Sequence, residues 1–291
     1  MYGNLKQRGF REIYTRFPTA RYESDVIDWR RIVIANGGKA PTSNVMNTLS
    51  VFIQDLKSSG IYKKMQSVNC FVGTDLITAK VPLIYKTGLN FYTDMAGTFT
   101  SADLTKDGLK GDAINKALGT GVIVSGNSIF TPESSVDDGL AGVGMSLYVS
   151  QGVSETVRDI GSQTNLVMHI SLSGTANVTI GNGGGITGAC PNGLSAFYSS
   201  NRFKGTVSHQ FGSNSYPWTK LTPVTGLSLN PTYPSVAIYL YCSNDGGIAY
   251  PCSKRYSFSA IHTGLDINKN EPYKLFTAVH RMRKALGGGW V

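Results

Sequence analysis

From about Leu89 onward the chain is written in short alternating runs broken by Gly, Asn, Ser and Pro, and this rhythm limits the fold more than any other feature. Leu166, Met168, Ile170 and Leu172 alternate with Val167, His169 and Ser171. Val236, Ile238, Leu240 and Cys242 alternate with Ala237, Tyr239 and Tyr241, and Tyr256, Phe258 and Ala260 alternate with Ser257 and Ser259. A period of two sends successive side chains to opposite faces, so each run predicts a strand with one face in a core. Short runs with turn residues between them point to an antiparallel sandwich and away from βαβ units.

Two segments follow the helical period instead. After a cap at Thr42 or Ser43, Val45, Met46, Leu49, Phe52, Ile53 and Leu56 recur on one face until Gly60, and a basic turn and an apolar run, Val68–Val72, complete a small helical module over residues 41–88. At the other end Asn270, Glu271 and Pro272 open a helix faced by Leu275, Phe276, Val279, Met282 and Leu286 and stopped by Gly287. Its Arg281, Arg283 and Lys284 suit the negative end of the helix dipole, which gives that basic cluster a structural explanation.

Residues 1–40 alternate aromatics with arginines: Arg8, Arg11, Tyr14, Arg16, Phe17, Arg21, Tyr22, Trp29, Arg30 and Arg31. Such a segment has too little aliphatic content to fold alone and too many rings for a solvated linker. It reads as an arm that docks on another subunit, with packing back on its own domain as the alternative. On the docking reading, removal of residues 1–31 leaves a folded sandwich over residues 89–291.

With 291 residues, 41% hydrophobic and 15% charged, the chain has material for one large domain or two modest ones. No run reaches the roughly 18 apolar residues of a membrane span, and the first nine residues lack the apolar stretch of a secretory signal, so a soluble protein outside the membrane is expected. The net charge of +9 raises an anionic partner, but the basic residues are scattered and argue against nucleic acid. Four cysteines without a C-x-x-C pair make neither a zinc site nor a disulfide framework, although Cys242 and Cys252 bracket a turn and leave one bridge open.

Three stretches carry a family resemblance. RYSFSAIHTGLDINKNEPYKLFTAVHRMRKALG (Arg255–Gly287) resembles the closing strand, loop and helix of phage virion proteins built on a concanavalin A-like, laminin-G-like sandwich. GLKGDAINKALGTGV (Gly108–Val122) is similar to the first strand region of that group, and TSNVMNTLSVFIQDLKSSGIYKKMQSVNCFVG (Thr42–Gly73) to its helical module. The resemblance implies a mainly β jelly-roll sandwich with an N-terminal helical module and a C-terminal helix. It also implies a non-enzymatic structural role on the virion, as a head decoration, head fibre or tail appendage assembled in the host cytoplasm, with a host-glycan-binding receptor-recognition protein and, third, a carbohydrate-active enzyme as the alternatives. Capsid or tail proteins and further copies of the chain would be its partners, with a host surface glycan as the alternative ligand. The arm and a lengthened loop, Asp266–Asn270, depart from the group.

Chemistry-bearing patterns are sparse, and no cofactor or metal is expected. A sandwich glycosidase needs two carboxylates about 5 to 9 Å apart. Only Glu23 has an acid two positions away, Asp25, while Glu133 with Asp137 and Glu155 with Asp159 are four apart, roughly 13 Å along a strand. His169, His209, His262 and His280 show no repeated spacing, and GGGITG (Gly183–Gly188) lacks the strand and helix of a dinucleotide site and reads as a flexible hairpin or surface loop. Asp137 and Asp138 supply too few oxygens for Ca²⁺. Among aromatics near turns, which include Tyr198 and Phe203, the candidate sugar contacts are Tyr216, Trp218 and Tyr233, with core packing as the competing role.

Overall fold

The computed structural model describes residues 22–73, 75–127, 129–130, 141–153, 155, 157–163, 165–170, 175–181, 185–189, 195–213 and 216–287. Its helices are α1 (Ser24–Ala35), α2 (Ser43–Ser58), the short α3 (Leu76–Lys80) and α4 (Glu271–Ala285). The first half contributes strands β1 (Met65–Asn69), β2 (Ile84–Tyr85), β3 (Thr93–Asp94), β4 (Leu104–Thr105), β5 (Gly108–Lys110), β6 (Leu118–Gly119) and β7 (Val143–Gln151). Next come β8 (Ile160–Ser162), β9 (Leu166–Ile170), β10 (Thr175–Ile180), β11 (Gly185–Ala189), β12 (Phe197–Phe203) and β13 (Thr206–Gly212). The last are β14 (Thr219–Lys220), β15 (Tyr239–Leu240), β16 (Ser243–Asn244), β17 (Ile248–Ala249) and β18 (Arg255–His262).

The protein is mainly β, with two antiparallel sheets and a C-terminal helix. One sheet runs β14-β13-β12-β7-β18-β1-β2, with β5 joined to β18 and β4 to β5. The other runs β11-β10-β9-β8-β15-β6-β3, with β16 and β17 continuing from β8; β8 and β16 pair in parallel. The period of two divides the first sheet, except that a bulge in β18 between Tyr256 and Phe258 sends these two rings to opposite faces. Met145, Leu147, Val149, Tyr198, Phe211 and Tyr256 point toward the second sheet, where they meet Ile160, Leu166, Met168, Val178 and Leu240. Tyr148, Phe197, Phe258 and Ala260 point the other way, into Trp29, Leu49, Phe52, Ile53, Leu275 and Val279 of the helices. The first sheet is therefore the middle of three layers. Each large side chain buried there contributes about 2 kcal/mol of transfer free energy.

The two long helices form as their sequences dictate. The Thr42 side chain accepts the Val45 N–H at 3.4 Å to cap α2, and Gly60 takes the left-handed φ of 78° just past its end. Pro272 in the first turn of α4 has no N–H to waste.

Several expectations are corrected. Residues 22–40 are not a free arm: in α1 Val26, Trp29 and Val33 recur at helical spacing and are buried. Trp29 is 1% exposed and its indole N–H donates to the Val81 carbonyl at 3.0 Å, so its ring belongs to this chain's own core. Tyr22 is half-buried, and Arg30 and Arg31 are exposed. Arg8, Arg11, Tyr14, Arg16, Phe17 and Arg21 lie outside the described residues. Removing residues 1–31 would strip Val26 and Trp29 from the packed helices. Nor is the helical module separate: β1 lies between β18 and β2, with Val68 opposite Ala260, so residues 41–88 and 89–291 share a sheet.

The strand anticipated over Val236–Cys242 contracts to Tyr239–Leu240, because Tyr241 turns into the left-handed region (φ 69°) and stacks its ring on Tyr256 at 4.4 Å. Of the two readings of the glycine-rich stretch the hairpin holds, since Gly185–Ala189 pairs antiparallel with β10. Cys70, Cys242 and Cys252 are buried free thiols. Glu133, Asp137 and Asp138 lie outside the described residues. No described helix is long and apolar enough to cross a membrane.

Candidate functional site

Among the described residues, two polar clusters on the helix-facing side of the first sheet differ in that one is closed and the other open. The closed one crosses β12, β7 and β18. His262 Nδ1 sits 2.8 Å from the Thr263 carbonyl, which can only accept, so Nδ1 carries the proton and Nε2 accepts from Ser146 Oγ at 2.9 Å. Ser199 then donates to Ser146 (2.9 Å) and Asn201 Nδ2 to Ser199 (3.0 Å). A serine beside a histidine has the outline of a nucleophile and base. Here both are 0% exposed and burial holds the imidazole down to about 4, so the row is a buried internal chain of hydrogen bonds that substrate does not reach. Gly144 is obligatory beneath it: a Cβ there would stand 2.2 Å from His262 Cε1.

The open cluster lies at the end of the β12–β13 hairpin. Lys204 (φ 50°) and Gly205 (φ 67°) form the two-residue turn, both left-handed as a tight hairpin requires. Against this tip rests the loop leading into α4. Together they enclose a pocket of about 300 Å³ lined by Phe203, Lys204, Thr206, Ser208, Leu265, Asp266, Ile267 and Asn268. The loop is braced from below. Glu271 Oε2 accepts the Asp266 N–H at 2.7 Å and the Lys64 ammonium at 2.6 Å, while Lys64 also donates to the Gly264 carbonyl and lies 4.9 Å from the centre of the Phe203 ring. Asp266 Oδ1 in turn accepts the Asn268 N–H at 2.9 Å. Thus Glu271 is committed to structure, whereas Asp266 lines the cavity.

An aromatic shelf extends along the first turns of α4. Lys220 Nζ donates to Asn270 Oδ1 at 3.2 Å, and beyond this link Tyr273, 46% exposed, stands edge-on to Trp218 with ring centres 5.5 Å apart. Trp218 stacks on Phe276 at 5.0 Å. Pocket and shelf offer an apolar ring face, hydroxyls, a carboxylate, an amide and ammonium groups. That set suits a polyhydroxylated ligand with one apolar face. Among the described residues no group of three or more His, Cys, Asp or Glu is arranged to hold a metal ion.

The three aromatic sugar contacts expected from sequence are not brought together. Tyr216 stacks on Phe211 at 5.7 Å and packs against the inter-sheet core, Tyr233 packs against that core beside Gly181, and Trp218 packs on the helix side. Phe203, one of the aromatics near turns, does reach the pocket; Lys64, Asp266, Asn268 and Tyr273 were not anticipated as site residues. The signal available for Asp266 and Asn268 was the lengthened loop that contains them.

No family model and no curated protein matches the chain. Solved structures do. Domain 4 of AbnA, an extracellular arabinanase from Geobacillus stearothermophilus in complex with arabinotriose, is 13% identical over 74% of this chain and 98% of its own, with a TM-score of 0.47. The enzymatically active domain of bacteriophage CBA120 tailspike protein 2 is 16% identical over 62% of this chain and 29% of its own, at 0.39. A Trypanosoma rangeli sialidase mutant with trans-sialidase activity is 6% identical over 81% of this chain and 39% of its own, at 0.45. The chain thus spans well under half of the tailspike domain and the sialidase.

These findings overturn the expectation of a non-enzymatic structural role and the reading of the chain as no enzyme. The structures it is similar to are mostly those of carbohydrate-active enzymes and tailspike enzymatic domains. At such identities and TM-scores the likeness concerns fold alone and carries over no residue, substrate or reaction. Phage tailspike domains are among the similar structures.

Proposed function

We propose that this chain is a carbohydrate-recognition protein of a phage tail, with a two-sheet body of the concanavalin A-like type and a sugar seated between the β12–β13 hairpin and the loop before α4. The observation that carries this reading is the pocket itself. Its lining combines the aromatic Phe203 with the polar Asp266, Asn268, Thr206 and Ser208. A sugar ring needs an apolar surface for its C–H face and alternating donors and acceptors for its hydroxyls, and this cavity supplies both within about 300 Å³. The shelf of Trp218 and Tyr273 provides a second ring-stacking surface for a longer oligosaccharide.

The test is a glycan array with the full chain, followed by calorimetry on the strongest ligand. Phe203→Ala should weaken binding by about tenfold, some 1.4 kcal/mol, with the fold intact by circular dichroism. Measuring the length of the bound glycan after incubation reads whether recognition is accompanied by cleavage. An array without ligands, or binding indifferent to both Phe203→Ala and Asp266→Asn, would sink the proposal.

A further inference from the structure

A deeply buried pair of charges lies away from the pocket. Asp159, just before β8 in the second sheet, and Lys254, just before β18 in the first, are 0% and 1% exposed. Lys254 Nζ stands 2.9 Å from Asp159 Oδ1 and 3.2 Å from Oδ2. The Tyr256 hydroxyl donates to Oδ1 at 2.6 Å and has Cys252 Sγ 2.8 Å away, and the Tyr241 ring stacks on Tyr256. Burial and the Asp159 charge hold the Tyr256 phenol well above its usual range, so it remains a donor at neutral pH.

A buried ion pair returns in attraction roughly what its desolvation costs, so stability alone is a weak reason to keep one. The arrangement here supplies something more: an amine and a carboxyl group held in contact, shielded from water, with a hydroxyl already bonded to the carboxyl oxygen. We propose that Lys254 and Asp159 become joined by an amide bond between Nζ and Cγ, formed with loss of one water.

The atoms balance within the site. One proton passes from the ammonium to Oδ2, leaving an amine and a carboxylic acid. The nitrogen lone pair forms the new bond to Cγ while the Tyr256 O–H stabilises negative charge developing on Oδ1. A second proton moves from nitrogen to the Oδ2 hydroxyl, the C–Oδ2 bond breaks, and water departs with that electron pair; the third proton stays on the amide. No oxidant, metal or cofactor enters. Proximity makes the step intramolecular, the condition under which such condensations gain most. The link would tie the two sheets together across 95 residues of sequence, constraining the unfolded chain as a long-loop disulfide does.

Intact mass spectrometry of the full chain under denaturing, reducing conditions decides the matter independently of any sugar. The wild-type protein should be one water lighter than its sequence, and a proteolytic map should contain a branched peptide joining residues 159 and 254. Lys254→Arg, which keeps the charge, should restore the full mass. A wild-type chain at full mass, or a water loss that maps elsewhere, overturns the proposal; both readings are made on unfolded protein and do not depend on how the variant folds.

Discussion

The row that ends at His262 and the pocket beside Phe203 are both polar, both touch β12, and both lie on the same side of the same sheet, yet they differ in what their donors and acceptors face. In the row every group but Asn201 Oδ1 points at another residue of the row or at backbone, and the helices seal it. In the pocket the bracing bonds run underneath, through Lys64 and Glu271, and leave Asp266, Asn268, Thr206 and Ser208 along a cavity. Polar density under a sheet is therefore a poor guide to function unless the groups also border space.

The largest effect expected on this contrast comes from acid. His262 and His209 are neutral when folded, held down to about 4 and about 3 by burial, against an ordinary 6.5. Below 6.5 the unfolded chain binds protons that the folded chain refuses, so stability present at pH 7 is lost as pH falls. Between pH 7 and pH 5 each histidine should cost about 2 kcal/mol, read by urea unfolding at the two pH values. A stability equal at both would show that water reaches the row. His262→Gln should lower stability at pH 7 but flatten the slope.

Gly144→Ala comes next. Its methyl group would collide with His262 and Asn201, costing at least about 3 kcal/mol, while the glycan affinity of whatever remains folded should be unchanged. Lys64→Met tests the reverse coupling. It strands Glu271 without its cation and should cost about 3 kcal/mol; because Glu271 holds the Asp266 backbone, sugar binding should weaken as well. Pairing Lys64→Met with Glu271→Leu should recover stability without recovering affinity. At the small end, Arg31→Ala removes only an exposed pair with Asp28 and should move the midpoint by less than about 0.5 kcal/mol.

How far the sequence spoke for itself depended on periodicity. The alternation in Tyr256–Ala260 and the apolar stripe of Met46–Leu56 are local signals, and both elements stand where they were expected, but a bulge after Tyr256 turns that ring to the opposite face from Phe258 and Ala260. The layering was not legible, because a strand with both faces buried looks the same whether its second face meets a sheet or a helix; Phe258 and Ala260 turned out to face helices. The α1 helix was hidden by its charge, since only Val26, Trp29 and Val33 of its twelve residues are buried. For the site, Phe203 was visible as an aromatic beside a turn. Asp266 was not, because its meaning arises from a hairpin about sixty residues earlier in the chain folding over it, an association that no local spacing records.

The strand β18 sits between β7 and β1 and also holds β5, so the middle layer has a gap through its centre until residues 255–262 are in place. While the chain is being synthesised, β1 has no strand neighbour other than β2 until residues 255–262 have left the ribosome. Contacts this distant in sequence make for slow closure. The nascent protein therefore carries exposed sheet edges until β18 emerges, and that strand acts as the key that locks the sheet.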